Sequence, residues 1–281
     1  LTEEERIFLD NQNSRPISDF MRVKFEKDAQ RYWDLFYKRN CERFFKNRYW
    51  TTKEFEELSE GSKEKSLVEI GCGVGNLIYP LVEEGFFRKI YACDFSPRAI
   101  EFVKLHPRYN PSIITAFQAD VTQIDSLSSV IKEPVDIVTM VFVLSAINPE
   151  KFRSVLQNLL PIVRTGTIIF FRDYGLYDMT QLRFKPGHKI SDKYYVRQDG
   201  TRSYFFTIEE LKSLFESEGF TEVSNNYVYR RTVNKKESID VPRVFIQAKF
   251  VKSASTSMVI APGAFSVHCH PLDSVLSLQT T

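Results

Sequence analysis

The clearest chemical pattern in this sequence is a group of glycines framed by two acids. An apolar run contains Glu69 and leads into a G-x-G-x-G pattern, and a second apolar run ends in Asp94. Glycines let the backbone approach a ligand closely because they carry no Cβ. An acid about 20 residues after them, at the end of the next strand, can hydrogen-bond a bound ribose. The pattern therefore predicts a nucleoside-binding unit whose glycines are Gly71, Gly73 and Gly75.

The glycine spacing and the preceding acid distinguish between nucleoside cofactors. A dinucleotide site has the pattern G-x-G-x-x-G, which this sequence does not have. Glu69, at the tip of the first predicted strand, suits a ligand with a cationic head better than a pyrophosphate. S-adenosylmethionine (SAM) carries a ribose, an adenine, a sulfonium and an amino group, and no phosphate. We therefore expect SAM as the cofactor, and a dehydrogenase is disfavoured.

Further acidic and apolar residues stand at the ends of later predicted strands. Ligands of open α/β sheets bind beyond the carboxyl ends of the strands, so Asp94 is expected at the ribose and Asp120 at the adenine amino group. Val121 and Val141 would form apolar walls beside the cofactor. Alternatively, Asp94 and Asp120 only cap turns, as Asp commonly does. Three acids at successive strand ends favour a binding site.

An alternating rhythm of strands and helices positions these residues. The run Val135–Val143 is apolar almost throughout, which is typical of a central parallel strand buried on both faces. Two β-like stretches, 222–233 and 243–250, close the pattern. We therefore expect an α/β domain over residues 61–252, with a doubly wound, Rossmann-like, seven-stranded sheet and an antiparallel edge hairpin.

The segments on either side of this domain differ from it in composition. Residues 1–60 are charged and aromatic, which predicts a helical extension with an amphipathic helix over residues 26–45. Residues 253–281 are rich in Ser, Thr and small residues, so we expect a flexible tail. Because the chain starts with Leu1 and not Met, a few preceding residues are expected.

The bulk composition excludes several classes of protein. The net charge of the 281 residues is only +2, so RNA binding would have to rest on a local basic patch. The four cysteines include no C-x-x-C pair, so we expect neither a disulfide framework nor a metal. No apolar stretch reaches the roughly 18 residues of a membrane span. We expect a cytoplasmic and also nuclear protein, because thiols stay reduced there.

Several segments resemble one particular family. The sequence from residue 20 to 250 is similar to the tRNA N3-methylcytidine methyltransferases, and most similar to their serine-tRNA branch. The glycine motif is common to methyltransferases at large, whereas Arg-Asp-Tyr-Gly at 172–175 and Val-Arg-Gln-Asp-Gly-Thr-Arg at 196–202 are distinctive of this family. Other matching segments are 33–40, 44–52, 91–100 and 142–147.

The resemblance implies a class I SAM-dependent methyltransferase that acts on cytidine 32 in the anticodon stem-loop of tRNA. Serine tRNA would be the substrate, and seryl-tRNA synthetase would be a partner. The resemblance also implies that Trp33 and Tyr37 close over SAM, so that the extension would be a cofactor lid and an RNA contact. Packing in the core is the alternative for these two aromatic side chains.

The reaction itself limits what the catalytic residues must do. N3 of cytosine has a free lone pair, so methyl transfer needs no strong general base, but the base becomes cationic as the methyl group arrives. Catalysis would then rest on positioning and on electrostatic stabilisation. The catalytic candidates are Asp173 and its neighbours Arg172 and Tyr174. Asp173 could accept a hydrogen bond from the exocyclic amine, and Arg172 could orient Asp173 or hold a phosphate. The alternative is an Arg172–Asp173 pair that only braces the loop.

RNA would be bound by basic residues that lie among aromatic ones, because such segments combine phosphate contact with base stacking. A charge run is also often just a solvated surface. N3 is buried in a base pair, so the target must be unpaired or flipped out, as in an anticodon loop. The predicted RNA contacts are Lys38, Arg39, Arg48, Arg183, Arg197 and Arg202.

Two other functions stay open on the sequence alone. The first is a class I methyltransferase of protein or small-molecule substrates, which would have the same cofactor pocket and differ only in segment 172–206. The second is an inactive SAM-binding subunit that scaffolds an RNA or a synthetase. The intact glycines and acids of the motif argue against this second function.

Overall fold

The computed structural model describes residues 1–40, 47–59, 61–234 and 239–254. Residues 255–281, nearly all of the predicted tail, lie outside the described residues, so the tail stays a prediction. The α-helices of the described part are α1 (Glu3–Gln12), α2 (Asp19–Lys27), α3 (Ala29–Asn40), α4 (Thr51–Glu54), α5 (Ile78–Glu83), α6 (Pro97–Leu105), α7 (Phe152–Leu159), α8 (Met179–Leu182) and α9 (Ile208–Ser217).

The strands form one large sheet and one small sheet. The large sheet has seven strands in the order β3-β2-β1-β4-β5-β10-β9, and the small one has the order β6-β7-β8. The strands are β1 (Ser66–Ile70), β2 (Lys89–Asp94), β3 (Ile114–Gln118), β4 (Val135–Val141), β5 (Val163–Tyr174), β6 (Lys189–Ser191), β7 (Tyr194–Val196), β8 (Arg202–Tyr204), β9 (Phe220–Asn234) and β10 (Ile239–Lys252).

The large sheet confirms the predicted doubly wound topology. Strands β1 to β5 run parallel to one another. The last two strands pair antiparallel with each other, and β10 pairs antiparallel with β5. Successive strands are added on one side of β1 as far as β3 and on its other side from β4 onward. Ligands of such folds bind at this switch point between β1 and β4.

The apolar character of the central strands explains the core. Apart from Asp136, every residue of β4 is buried, because helices or loops cover both faces of a central parallel strand. The helix that follows β2 begins where the sequence predicts: Ser96 caps its N-terminus by accepting the backbone N–H of Ala99, and Pro97 occupies its first turn. Thr207 caps α9 in the same way.

The region around α7 differs from the sequence prediction in its boundaries. The sequence between Pro149 and Gly166 predicts one helix over residues 149–163, but the α-helix covers only Phe152–Leu159 and has a 3-10 turn at each end. Pro161 cannot donate the hydrogen bond that would continue the helix. The fifth strand is longer than expected, because it already begins at Val163.

The small sheet was not predicted. Its three-residue strands lie within the basic and aromatic segment 172–206. Such short strands show too little alternation to be recognised in a sequence. Tyr204 of β8 lies 5.2 Å from Phe152 of α7 between ring centroids, so aromatic packing holds this sheet against the domain.

The N-terminal extension is helical, as predicted, but it is divided differently. The expected helix over residues 26–45 is interrupted at Asp28, which ends α2 before α3 begins at Ala29. Residues 41–46 lie outside the described residues. No helix in the described part of the chain is long and apolar enough to cross a membrane.

Candidate functional site

The glycine loop after β1 is fixed by a carboxylate at the end of β2. Asp94 accepts hydrogen bonds from the backbone N–H of Gly73 and from that of Ser96, both at 2.9 Å. Gly73 has a φ of 55°, in the left-handed region that favours glycine. A Cβ on Gly71 would lie 2.4 Å from a methyl carbon of Val143. The glycines are therefore required both for the turn and for space.

The electrostatics of Asp94 suit a ligand with hydroxyl groups. The side chain is buried, and this burial raises the pKa of Asp94 to about 6, against the opposing hydrogen bonds from Ser96 and Gly73. The carboxylate is therefore mostly ionised at neutral pH. Asp94 also lines a cavity at the carboxyl ends of the central strands, so it can accept hydrogen bonds from a ribose bound there.

Glu69 lies beneath the glycine loop and is only 1% exposed. Burial raises its pKa to about 8, although attraction to Arg48 opposes this shift. Its Oε2 atom has no hydrogen-bond partner among the described residues. A buried oxygen of this kind carries a penalty until a donor reaches it, so a cationic amino group would be a fitting partner.

Six of the predicted cofactor residues line one cavity of about 230 Å³. The cavity lies at the carboxyl ends of the central strands, where β1 and β4 diverge. Of the other predicted residues, Gly73 and Gly75 belong to the loop beside it, and Val141 is buried in β4 with its carbonyl oxygen bound by Arg48. The six lining residues are Trp33, Tyr37, Gly71, Asp94, Asp120 and Val121.

Helix α3 covers this cavity from the N-terminal side. Trp33 and Tyr37 lie on one helix face with their ring centroids 6.1 Å apart. A Cβ on Gly73 would lie 3.1 Å from the hydroxyl oxygen of Tyr37. The helix is anchored because Asp34 accepts a hydrogen bond of 2.6 Å from Ser96 Oγ. The predicted lid is thus joined to the domain next to Asp94.

A second attachment of the extension involves Arg202, which the sequence predicted as an RNA contact. Arg202 is 7% exposed, and its guanidinium forms an ion pair with Glu26 at the end of α2. Lys151 contacts the same carboxylate. Burial alone would raise the pKa of Glu26, but the two cations outweigh it and the pKa is lowered. In this structure Arg202 braces the extension over the cavity and does not face solvent.

Arg48 is also placed differently from the sequence prediction. Its Nη1 atom donates to the carbonyl oxygen of Val141 at 3.2 Å, and its guanidinium carbon lies 5.6 Å from the ring centroid of Phe142. Burial lowers its pKa, while attraction to Glu69 acts in the opposite direction. Sequence reasoning missed this position because Arg48 and Val141 are far apart in the chain.

Asp173 is buried completely at the end of β5. One oxygen accepts the backbone N–H of Ser145 at 3.0 Å and the other accepts that of Tyr174 at 2.9 Å. Burial raises its pKa to about 6, and the hydrogen bonds from Ser145 and Tyr174 oppose the shift. Both oxygens already hold backbone donors, so a direct bond from Asp173 to a substrate amine stays a prediction.

The neighbours of Asp173 have distinct surroundings. Side chains next to each other on a strand point to opposite faces, and Arg172 pairs with Glu54 instead of Asp173. This result excludes the alternative of an Arg172–Asp173 brace in this structure. The ring centroids of Tyr174 and Phe142 are 5.1 Å apart. The guanidinium carbon of Arg197 lies 5.6 Å from the ring centroid of Tyr174.

A basic groove of about 790 Å³ lies beside Tyr174. It brings together Arg39, Arg183 and Arg197, three of the predicted RNA contacts, although they come from distant parts of the chain. Lys38 is exposed on α3 but is not among the lining residues. Arg243, which sequence reasoning missed, also lines the groove and is paired at 2.9 Å with the buried Asp178.

Within the described residues, no group of His, Cys, Asp and Glu side chains is arranged to hold a metal ion. Cys72 and Cys93 are free and buried beside the glycine loop. Burial raises the pKa of both thiols, so neither is activated as a nucleophile.

Comparison with known proteins agrees with this geometry. Residues 28–225 match the family model described as a methyltransferase domain. The chain is 54% identical to the tRNA N(3)-cytidine methyltransferase METTL6 of Mus musculus, over 89% of each chain. It is 52% identical to the protein of that name from Homo sapiens, over 90% of each chain. It is 40% identical to the tRNA N(3)-methylcytidine methyltransferase trm140 of Schizosaccharomyces pombe, over 81% of this chain and 77% of that one.

The fold itself is similar to that of solved structures. A SAM-dependent methyltransferase from Anabaena variabilis superposes with a TM-score of 0.59 at 15% identity, over 80% of this chain and 95% of that one. An S-adenosylmethionine-dependent methyltransferase from Clostridium acetobutylicum gives a TM-score of 0.55 at 11% identity, over 80% and 99%. These likenesses confirm the predicted class I SAM-dependent methyltransferase fold.

Proposed function

We propose that this chain, which belongs to the family of tRNA N(3)-cytidine methyltransferases, transfers a methyl group from SAM to N3 of a cytidine in tRNA. The observation that carries this proposal is the high identity to the METTL6 proteins, which extends over about nine tenths of both chains. The cavity at the sheet switch point and the basic groove beside it support the same reaction.

The hydrogen-bond acceptors in the cavity and beneath the glycine loop beside it fit SAM. When bound, SAM supplies an electrophilic methyl group on a sulfonium. Asp94 would accept hydrogen bonds from the ribose, and the unpartnered Oε2 of Glu69 would accept one from the amino group. Arg48, which is attracted to Glu69, would pair with the carboxylate of the methionine part of SAM. Trp33 and Tyr37 of α3 would cover the bound cofactor and exclude water from it.

The target cytosine would lie against an aromatic wall formed by Phe142, Tyr174 and Phe245. The ring centroid of Phe142 is 5.1 Å from that of Tyr174 and 5.5 Å from that of Phe245. Aromatic faces attract cations, so this wall suits a base that becomes positively charged. Because N3 attacks with its own lone pair, no side chain has to remove a proton first.

Asp173 would act from beneath this wall as a fixed negative charge. Its oxygens hold the backbone of Ser145 and Tyr174, so it shapes the pocket and also stabilises positive charge that develops on the base. A preorganised charge in a buried site requires no reorganisation during the reaction. This is the electrostatic role that the sequence predicted for Asp173.

We further propose that the substrate is cytidine 32 in the anticodon loop of serine tRNA. This proposal rests on the family resemblance and on the chemistry of N3, which must be unpaired. The basic groove supplies Arg39, Arg183 and Arg197 for phosphates next to the target. Seryl-tRNA synthetase is proposed as a partner on the resemblance alone. Activity in the cytoplasm and the nucleus is proposed because thiols such as Cys72 and Cys93, which are free, stay reduced there.

The test is methylation of defined tRNAs with isotopically labelled SAM, followed by mass spectrometry of the released nucleosides. We expect labelled N3-methylcytidine in serine tRNA and none in a transcript whose cytidine 32 is replaced by uridine. Both assays would be run with and without seryl-tRNA synthetase, which tests the partner. Label in protein, or the absence of N3-methylcytidine under both conditions, would overturn the proposed function.

A further inference from the structure

Arg172 is a buried cation that is not among the residues lining the cofactor cavity. Its side chain is 5% exposed, and Nη1 lies 2.8 Å from Oε2 of Glu54. Gln247 accepts a second hydrogen bond from the same nitrogen. The guanidinium carbon lies 5.0 Å from the ring centroid of Trp50 and 5.1 Å from that of Phe245. Arg172 therefore joins the Trp50–Glu54 region to the strands β5 and β10.

This contact fixes the segment that carries Arg48. The carbonyl oxygen of Arg48 accepts hydrogen bonds from Thr51, at 2.7 Å from its hydroxyl and at 3.0 Å from its backbone N–H. Trp50 and Glu54, on either side of Thr51, are both held by Arg172. The direction in which Arg48 enters the site therefore depends on a short segment that Arg172 attaches to the sheet.

The backbone of Arg172 also fixes what Arg48 contacts. The carbonyl oxygen of Arg172 accepts the N–H of Phe142 at 2.7 Å. Phe142 has a φ of 59°, a conformation that a bulky residue adopts only when its surroundings impose it. The ring of Phe142 and the neighbouring Val141 carbonyl are the two groups that Arg48 meets.

We propose that Arg172 and Glu54 are positioning residues. They hold Arg48 against the ring of Phe142 and the carbonyl oxygen of Val141, where its guanidinium can reach the cofactor. The inference rests on the proposed function, since it assigns Arg48 to the site of methyl transfer. It replaces the catalytic role that the sequence suggested for Arg172. A buried ion pair often contributes little net stability, but it fixes one geometry when both partners are present.

The experiment is a double-mutant cycle with Glu54→Gln and Arg48→Met in the full chain. Affinity for S-adenosylhomocysteine is measured by calorimetry, and kcat/KM is measured for methylation of serine tRNA. In the wild-type background, Glu54→Gln should lower both by about tenfold, which is within the range of coupling between residues in one network. In the Arg48→Met background, the same change should alter both by less than about twofold, because no guanidinium is left to position.

Glu57→Gln is the matched control. Glu57 lies one turn after Glu54, forms an ion pair with Lys249 of β10, and is 30% exposed against 22% for Glu54. Glu57→Gln should lower the Tm by 2–4 °C or so, and Glu54→Gln by at least as much, because Glu54 also pairs with the exposed Arg230 at 2.8 Å. Glu57→Gln should nevertheless leave affinity and kcat/KM within about twofold. Equal losses of affinity in the two variants would overturn the inference, as would additive effects in the cycle.

Arg172→Met alone leaves Glu54 with only the exposed Arg230 as a partner and is expected to fold poorly. Arg172→Met combined with Glu54→Leu removes both charges, so it should recover the Tm and still bind S-adenosylhomocysteine about tenfold more weakly. Full recovery of affinity would assign the pair to stability alone. The binding arm needs no tRNA, so an absence of tRNA methylation by the wild type would overturn the proposed function while the cycle still decides the inference.

Discussion

Asp94 and Asp173 stand at the ends of two strands in the same sheet, and burial raises the pKa of each to about 6. Asp94 lines the cofactor cavity and binds backbone donors of its own strand–helix–strand unit, Gly73 and Ser96. Asp173 is covered completely, and it holds Ser145 of the preceding strand end. In both halves of the site, cofactor and substrate, the carboxylate thus fixes the loop after the preceding strand of its own strand–helix–strand unit. The difference is that Asp94 lines the cofactor cavity, whereas Asp173 does not and is closed off by the backbone groups it binds.

The difference predicts that the two carboxylates have separable functions. Asp173→Asn keeps the size of the side chain and one acceptor oxygen but removes the charge beneath the aromatic wall. We expect kcat for tRNA methylation to fall by about 10²–10³, comparable to the loss of one preorganised electrostatic partner. Affinity for S-adenosylhomocysteine, measured by calorimetry, should stay nearly unchanged. Near-normal kcat in this variant would remove Asp173 from the reaction.

The pH dependence of kcat gives an independent control on the same variant. The ionised form of Asp173 is the one that stabilises a cationic base, and its pKa is about 6. At saturating SAM, kcat of the wild type should therefore be flat above neutral pH and fall as the pH drops through 6. Asp173→Asn should show no such step. An increase of kcat from pH 7 to 8 would instead point to a general base.

Asp94→Ala should produce the opposite pattern. The substitution removes the acceptor for the ribose and frees the N–H of Gly73. We expect affinity for S-adenosylhomocysteine to fall on the order of 10 to 100-fold, the loss of 1–3 kcal/mol that follows an unsatisfied buried partner. At saturating SAM, kcat should change much less. A larger effect on kcat than on affinity would erase the distinction between the two halves.

Distance along the chain explains what the sequence could predict. The loop from Gly71 to Gly75 and the carboxylate of Asp94 are close in the chain, so their spacing alone predicts a cofactor and its contacts. The large sheet was predictable because each of its parallel strands is an apolar run. The positions of Arg48 and Arg202 were not, because basic residues beside aromatic ones look alike whether they bind RNA or an acid elsewhere in the fold. Arg202 is bound by Glu26 and Arg48 by the carbonyl oxygen of Val141, and both partners are far away in the chain, with no pattern that points to this contact.

A smaller effect is expected from the N-terminal lid, which should slow the release of the cofactor from its cavity. Glu26→Gln removes the carboxylate shared by Arg202 and Lys151 at the edge of the cavity. We expect S-adenosylhomocysteine to dissociate about fivefold faster in stopped-flow measurements, since a partly buried hydrogen bond to a charge is worth roughly 1 kcal/mol. Asp19→Asn, which breaks an exposed pair with Arg22 on the same helix, is the control and should leave the rate unchanged. Equal rates in all three proteins would show that this ion pair does not close the cavity.

The smallest effect should appear in the basic groove, where tRNA and not the cofactor is bound. Arg183 is exposed and lines the groove, so Arg183→Ala should remove about one phosphate contact and lower the slope of log affinity against log salt by about one unit. Arg88 is exposed just before β2, at the end of the strands opposite the site, and Arg88→Ala should leave that slope unchanged. Arg202→Ala should also leave it unchanged, because the guanidinium of Arg202 is already paired with Glu26. Filter-binding titrations of serine tRNA over a range of salt concentrations give all three slopes. If Arg202→Ala lowers the slope as much as Arg183→Ala does, tRNA must separate Arg202 from Glu26 on binding, and the lid over the cofactor would then open as the substrate is bound.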